Sequence, residues 1–437
     1  VTLPRLDHVT FLEGPVDRIG IGLLGYGTVG SGVGKLLKKN AEDITLATGR
    51  PVELRRVLEL PGFSSPELDP ALVTHDVDDI LGDPDIQVVI ELIGGTGAAR
   101  DFQLRALRAG KHVVTANKQL LGQHGAELLE TAEQTGVHLR FEASAVGAVP
   151  IIKVLRESLV AAEVRTIFGI VNGTTNFMLS AMTETGADYD DVLGEAQRLG
   201  YAEADPTDDV TGKDAAAKMA IMSSIAFHSR VNLADVTYEG ITKVTAVDIA
   251  HGRRLGFVCK LLGVARLIGG AMNVRVYPAF IPAAHPLAGV SGAYNAVFLE
   301  SEAFDKLMLY GPGAGSVPTA SAVIGDVISI VNTAKGSFTH NCLCYKDLPF
   351  YPSDDVVSRF FLRVRVADRP GVLARVSAVL GDEGVSIHSM VQEGGGGDAE
   401  LVFLLHPASE ARFFAALERL LALDEVQGEP GVIRVED

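Results

Sequence analysis

Cysteine is scarce: the 437 residues hold three, at Cys259, Cys342 and Cys344. So sparse and odd a number gives no disulfide framework and suits a reducing compartment. Cys342 and Cys344 sit closer together than the usual zinc spacings, so all three are expected to be structural or incidental. Long apolar runs are missing too. No stretch reaches the roughly 18 residues that span a bilayer. Val1–Gly14 lacks a basic region leading into an apolar one and is not expected to act as a signal peptide. Positive charge is in deficit, with 38 lysines and arginines against 55 acids and a formal charge of −17. Such a surface repels phosphate backbones and anionic lipids, which argues against nucleic-acid and membrane partners. A cytoplasmic location is the expectation.

What is present is ordinary globular material, 47% hydrophobic and 21% charged, enough for two or three domains. Short apolar runs at Ile19–Leu24, Val52–Leu58, Val88–Ile93, His112–Thr115 and Val137–Phe141 read as strands. Helical patterns fall between them at Val29–Lys39, Phe102–Arg108 and Gly125–Gln134. That alternation predicts an α/β fold with a Rossmann-type, doubly wound parallel sheet over residues 15–150. After Pro150 the pattern changes. Ile151–Leu159 is helical, and Glu163–Ile170 is a strand running into a polar turn at Asn172–Asn176. Asp214–Phe227 is a helix, and Val274–Pro282 suggests more sheet. A mixed α/β substrate domain over 151–345 is expected, with its last helix, Ser316–Val331, a candidate to return to the first domain. Prolines and aspartates at Lys346–Asp355 mark a linker. Residues 356–437 then run strand-helix-strand-strand-helix-strand, a ferredoxin-like order.

The first chemical signal is Gly25-Tyr26-Gly27-Thr28-Val29-Gly30, between an apolar strand and a helix. Glycine-spaced patterns alone are common, and this context makes the difference. Gly25 permits the tight turn, Gly27 lets the backbone approach a pyrophosphate, and Gly30 lets helix and strand pack closely. The helix N-terminus offers N–H groups and a positive dipole end to the phosphates. Glu59, at the end of the second strand, is the candidate partner of the ribose hydroxyls. A carboxylate there repels an added phosphate, which leans toward NAD over NADP. Of Arg55 and Arg56, only one shares its sheet face.

Lys118 follows the strand His112–Thr115, at the edge where open parallel sheets bind ligands. Farther on, Glu203, Asp205, Asp208, Asp209 and Asp214 place five carboxylates in twelve residues. Crowding of that kind is costly unless a cation or ligand offsets it. Asp214 and Lys218 are four apart on a predicted helix and share a face. Carboxylates suit an ammonium, and a lysine suits a hydroxyl or carbonyl oxygen. Burial lowers a lysine's proton affinity and nearby carboxylates oppose that shift.

These stretches resemble the homoserine dehydrogenases: residues 22–30, 113–118, 141–150, 169–177, 200–218 and 311–323, in that family's order. The run from Gly200 to Lys218 is the most specific of them. The resemblance implies interconversion of L-homoserine and L-aspartate 4-semialdehyde with NAD or NADP, in threonine, methionine and isoleucine biosynthesis. It makes Lys218 the acid/base, with Lys118 close enough to assist. Gly200, Glu203 and Asp214 become substrate-binding. Gly25, Gly27, Thr28, Val29, Gly30, Thr115, Lys118 and Gly315 match cofactor-contacting positions. Glu142, with the carbonyls of Ala145, Gly147 and Val149, looks like the family's monovalent-cation site, where sodium is expected, and hard cations do prefer oxygen. One departure stands out. Many members carry a basic residue just after the second strand, and the equivalent here is Leu60, which puts NADP preference in doubt.

Asp368-Arg369-Pro370-Gly371 joins a strand to a helix and, with the topology around it, resembles an ACT domain. Asp368 and Gly371 are its candidate effector contacts, threonine the expected effector, and a homodimer or homotetramer the expected assembly. Two rivals remain. An aspartate-semialdehyde dehydrogenase needs an activated cysteine, and no cysteine here has a catalytic setting. A catalytically inactive amino-acid sensor is the alternative, and the intact Lys118, Glu203, Asp214 and Lys218 argue against it.

Overall fold

In the computed structural model of the chain, residues 18–333, 344–395 and 397–436 are described, and Val1–Gly14 and Cys342 lie outside them. The chain forms two compact units. One comprises the residues up to Glu163 with Ala220–Leu233 and Gly311–Asp347, and the other Val164–Met219, Ala234–Tyr310 and Leu348 onward. Among the described residues no helix is long and apolar enough to cross a membrane.

The sheet of the first unit contains β1 (Ile19–Leu24), β2 (Val52–Leu58), β3 (Val73–Thr74), β4 (Val88–Glu91), β5 (His112–Thr115) and β6 (Leu139–Arg140). All neighbours are parallel, in the order β3-β2-β1-β4-β5-β6. The chain steps outward from β1 to β3 and then returns to β4. Strand order therefore reverses between β1 and β4, and ligand crevices open at the carboxyl ends of such a pair. Every residue of β1 is buried, as a parallel strand covered on both faces requires. The helices here are α1 (Thr28–Lys39), α2 (Ala41–Thr48), α3 (Asp78–Leu81), α4 (Ala98–Arg108), α5 (Lys118–Thr135) and α6 (Ile151–Lys153). The helix Ser316–Asn332 buries Ala320, Val323, Ile324, Val327 and Ile330 in one core with Ile19, Ile21, Leu23 and Val33. That three-and-four spacing forms one apolar stripe, which explains its place on this sheet.

The second unit contains β7 (Val164–Ile170), β8 (Thr237–Tyr238), β9 (Phe257–Ile268), β10 (Ala271–Pro282), β11 (Tyr294–Ser301), β12 (Asp305–Pro312), β13 (Val357–Ala367), β14 (Ile387–Gly395), β15 (Asp398–Leu405), β16 (Ala408–Ser409) and β17 (Val426–Val435). The later helices are α7 (Gly173–Thr185), α8 (Tyr189–Leu199), α9 (Thr207–Val210), α10 (Lys213–Ala226), α11 (Ala246–Arg254), α12 (Ser316–Asn332), α13 (Val372–Asp382) and α14 (Glu410–Leu421). Strand β13 meets β17 on one side and β15 on the other, and β14 lies outside β15, all antiparallel. This is the ferredoxin-like order.

Several expectations change. The polar residues Asn172–Asn176 are not a free turn. Asn172 caps α7, because Asn, Gly and Thr serve helix starts as well as turns. The C-terminal module does not keep a separate sheet. Strand β17 pairs in parallel with β10, through Ala279↔Arg434 and Phe280↔Val435, and joins the two sheets into one. Residues in the predicted linker bond to the β10 backbone, Met272 N–H to the Pro349 carbonyl and Tyr351 N–H to that of Met272, at 2.7 Å each. Cys344 is disulfide-bonded, against the expectation of no such bond. Cys259 is free and buried, and burial pushes its thiol up to about 12, far from nucleophilic use.

Candidate functional site

The glycine loop leaves β1 at Leu24 and enters α1 at Thr28. Gly25 takes φ +96°, a left-handed turn that glycine tolerates. A Cβ on Gly30 would come 2.1 Å from the Gly25 carbonyl oxygen, so helix and loop touch only because residue 30 is glycine. A Cβ on Gly27 would meet nothing within 4 Å. Thr28 is exposed and Val29 half-buried, and no described side chain caps α1. Open space before an uncapped helix start suits a pyrophosphate. Gly315, at φ +120°, opens α12, and Ser316 Oγ donates to the Thr28 carbonyl at 2.6 Å, which joins the two helix starts. Glu59 accepts the Tyr26 N–H, so its carboxylate is held against the loop. Arg55 pairs with Asp85, and Arg56 reaches the Ala71 carbonyl.

Sequence reading missed Glu91. It ends β4 fully buried, and its carboxylate accepts from the Ile93 and Gly94 N–H groups, from Gln103 and from the Thr115 hydroxyl. Thr115 is itself 0% exposed, so its side chain shapes the loop from within. Thr115 Oγ1 accepts the Asn117 N–H at 3.0 Å, and Asn117 caps α5 through the Leu120 N–H. Lys118 begins that helix and is half-buried. The signal was an acid closing the apolar run Val88–Glu91, where the β4–β5 register sets Glu91 opposite Thr115.

In the second unit, α8 ends at Gly200, whose φ of +78° turns the chain into the acidic loop. The crowded carboxylates divide. Glu203 is exposed, Asp205 accepts from Thr207, and Asp208 pairs with Lys213 at 2.9 Å. Asp209 and Asp214 converge instead on the side-chain amide of Asn172, at 2.7 and 2.9 Å. Lys218 Nζ lies 2.8 Å from Asp214 Oδ2 and donates to the Val171 carbonyl at 2.8 Å. The lysine side chain is 12% exposed and the aspartate 5%, a nearly buried ion pair. Protein groups thus relieve much of the crowding that the sequence suggested a ligand must offset. Asp209 was read only as one of the five acids and Asn172 only as part of a turn, because only the fold sets β7's end beside α9 and α10.

A homoserine dehydrogenase of Corynebacterium glutamicum is 43% identical over 432 residues, covering 97% of each chain. This chain belongs to the homoserine dehydrogenase family. The homoserine dehydrogenase of a Synechocystis strain is 44% identical, over 95% of this chain and 99% of its own. The crystal structure of a homoserine dehydrogenase from Thiobacillus denitrificans superposes with a TM-score of 0.91, at 41% identity, over 96% of this chain and 98% of that one. Family models match in sequence order: the homoserine dehydrogenase NAD-binding domain at residues 25–142, the homoserine dehydrogenase domain at 150–328, and an ACT domain at 360–425.

Two further parts of this homoserine dehydrogenase-type chain bear on expected sites. Glu142 is 4% exposed, and its oxygens accept the Ile152 and Lys153 N–H groups at 2.8 and 2.7 Å. Burial, then the charge of Asp326, push its carboxyl up to about 7 against those bonds. Ala145, Gly147 and Val149 follow, all buried, and Gly147 is confined to glycine by the Gly313 carbonyl. A buried acid beside a turn of carbonyls offers the oxygen ligands that a hard cation takes, although Lys153 and Arg156 already lie near that carboxylate. In the ACT module, Asp368, Arg369, Gly371, Leu373, Gln392 and Leu401 line a cleft of about 350 Å³. Asp368 and Gly371 are exposed there, and Gly371 caps α13 at φ +90°.

Proposed function

We propose that the chain interconverts L-homoserine and L-aspartate 4-semialdehyde, with a nicotinamide cofactor as hydride carrier. The observation that carries this reading is the nearly buried Lys218–Asp214 pair. A lysine ammonium has three N–H donors. Asp214 and Val171 take two, and the third serves the substrate oxygen that alternates between hydroxyl and carbonyl. In reduction Lys218 gives that oxygen a proton as negative charge develops, and in oxidation it takes the proton back. Lys118 stabilises the same developing charge. Glu203 and Asp214 hold the substrate's ammonium, and Gly200 contributes its backbone.

The cofactor, when bound, supplies or accepts the hydride. Gly25, Gly27, Thr28, Val29 and Gly30 cradle its pyrophosphate, with Gly315 and Lys118 completing the contacts, while the fully buried Thr115, expected as a contact, instead holds the loop from behind. Glu59, already aimed at the loop, and the exposed Leu60 favour NAD over NADP. Glu142, with the Ala145, Gly147 and Val149 carbonyls, holds a sodium ion. The ACT cleft at Asp368 and Gly371 takes threonine as inhibitor, and the assembly is a homodimer or homotetramer.

The test follows nicotinamide absorbance with aspartate semialdehyde and NADH or NADPH, then with homoserine in reverse. Turnover in both directions, faster with the NAD pair, is expected. No turnover with either cofactor would leave the inactive-sensor reading in its place.

A further inference from the structure

Asn172 does more than start a helix. Its Oδ1 accepts from the Thr175 N–H and the Thr175 hydroxyl, each at 2.9 Å, which caps α7. That fixes the amide's orientation. The oxygen faces two donors, so the nitrogen must face the two carboxylates, which only accept. Nδ2 spends its two hydrogens on Asp209 Oδ1 at 2.7 Å and Asp214 Oδ2 at 2.9 Å. Asp214 Oδ2 is the same atom that meets Lys218, and the preceding residue, Val171, supplies the lysine's carbonyl acceptor. Two consecutive residues at the end of β7 therefore hold both halves of the ion pair.

Capping alone does not call for asparagine. Aspartate and serine start helices about equally well, since a cap needs only an oxygen acceptor. Asparagine alone of these adds two N–H donors from one nitrogen. Carboxylates that approach one another repel, and one of them then tends to take up a proton. N–H donors to both oppose that tendency, because hydrogen bonds to the ionised form favour it. Asn172 is 5% exposed, so water does not readily replace its amide.

We propose that Asn172 is a positioning residue for the reaction, clipping Asp209 and Asp214 together in their charged forms beside Lys218. The inference rests on the acid/base role given above to Lys218. The test compares Asn172→Ser and Asn172→Asp with the wild type. Both keep an acceptor for α7 and lose the amide's two N–H donors, serine retaining a single hydroxyl hydrogen and aspartate none, so circular dichroism should report an intact fold. Losing hydrogen bonds to charged groups should lower kcat by roughly ten- to a hundredfold. The cofactor Kd should not move, and the acid limb of the kcat/KM profile should shift to higher pH, further for Asn172→Asp because a third negative charge is added. A crystal structure of Asn172→Ser should show the two carboxylates turned away from their present positions. Wild-type kcat and pH profile in a folded Asn172→Ser would overturn the proposal, as would unmoved carboxylates. The crystallographic result decides the clip even if the wild type fails to oxidise homoserine, and that failure would count only against the proposed reaction.

Discussion

Gly30→Ala isolates the glycine loop. The added Cβ would sit 2.1 Å from the Gly25 carbonyl oxygen and 3.0 Å from its carbon, both backbone atoms. Close-packed interiors do not absorb such overlap, so loop and helix must part by about 1 Å or more. The helix itself should survive. Alanine is favoured over glycine in a helix by about 1 kcal/mol, and α1 still buries Val33 and Leu37. The damage falls on the first-turn N–H groups that would meet a pyrophosphate. Losing one hydrogen bond to a charged group costs about 1.5–3 kcal/mol, or roughly ten- to a hundredfold in Kd. The fluorescence of the reduced nicotinamide, excited outside the protein's own absorption, can read this directly. A weakened NADH Kd with little change in Tm is expected. A Kd within about twofold of wild type would show that the close approach of Gly30 to Gly25 has no bearing on cofactor binding.

Lys218→Ala should lower kcat by at least about a hundredfold and leave the NADH Kd unchanged, with stopped-flow and binding assays as the check. Glu410→Gln tests the junction between β10 and the ACT module. Its carboxylate is bonded to Arg275 at 2.7 Å, to Arg434 at 2.9 Å and to Ser358. Removing the charge leaves the buried Arg275 without this partner and Arg434 with Glu239 alone; it should cost about 3–5 kcal/mol in urea unfolding, and a loss under about 1 kcal/mol would contradict the assignment. The same residue sets a pH dependence. Burial pushes its carboxyl up, but Arg434, Arg275 and Ser358 outweigh burial and hold it at about 2, below the ordinary 4.5. Its stabilisation is therefore complete above pH 4.5 and is lost as pH falls through about 2; in Glu410→Gln that acid sensitivity should flatten. Asp368→Ala should raise the threonine concentration for half-inhibition by about tenfold or more, losing a hydrogen bond to the ligand's charge. Calorimetric titration checks the binding itself.

Local signals carried far in this chain. An apolar strand followed by Gly-x-Gly-x-x-Gly announced both β1 and the start of α1, because turn, strand and helix preferences all agree within a dozen residues. Asp214 and Lys218 were readable as one face because helical spacing alone brings them together. Asn172 was read as part of a turn, since its residue type favours both turns and caps and only the following helix decides. Glu91 was missed, and Asp209 was read only as one of five crowded acids, for a different reason. Their partners are brought to them by strand pairing and by the meeting of separate segments, which no window of neighbouring residues displays. The merging of the ACT strands with β10 was equally hidden, because Phe280 and Val435 meet across a long stretch of chain. Patterning fixes which face of a strand is buried and leaves open which edge it joins.

The most direct measurement is a crystal structure with homoserine and the oxidised cofactor both bound. Lys218 Nζ should lie within about 3 Å of the substrate hydroxyl oxygen while keeping its bonds to Asp214 and Val171. A substrate hydroxyl met by another group, with the Lys218 amine directed into solvent, would contradict the acid/base role.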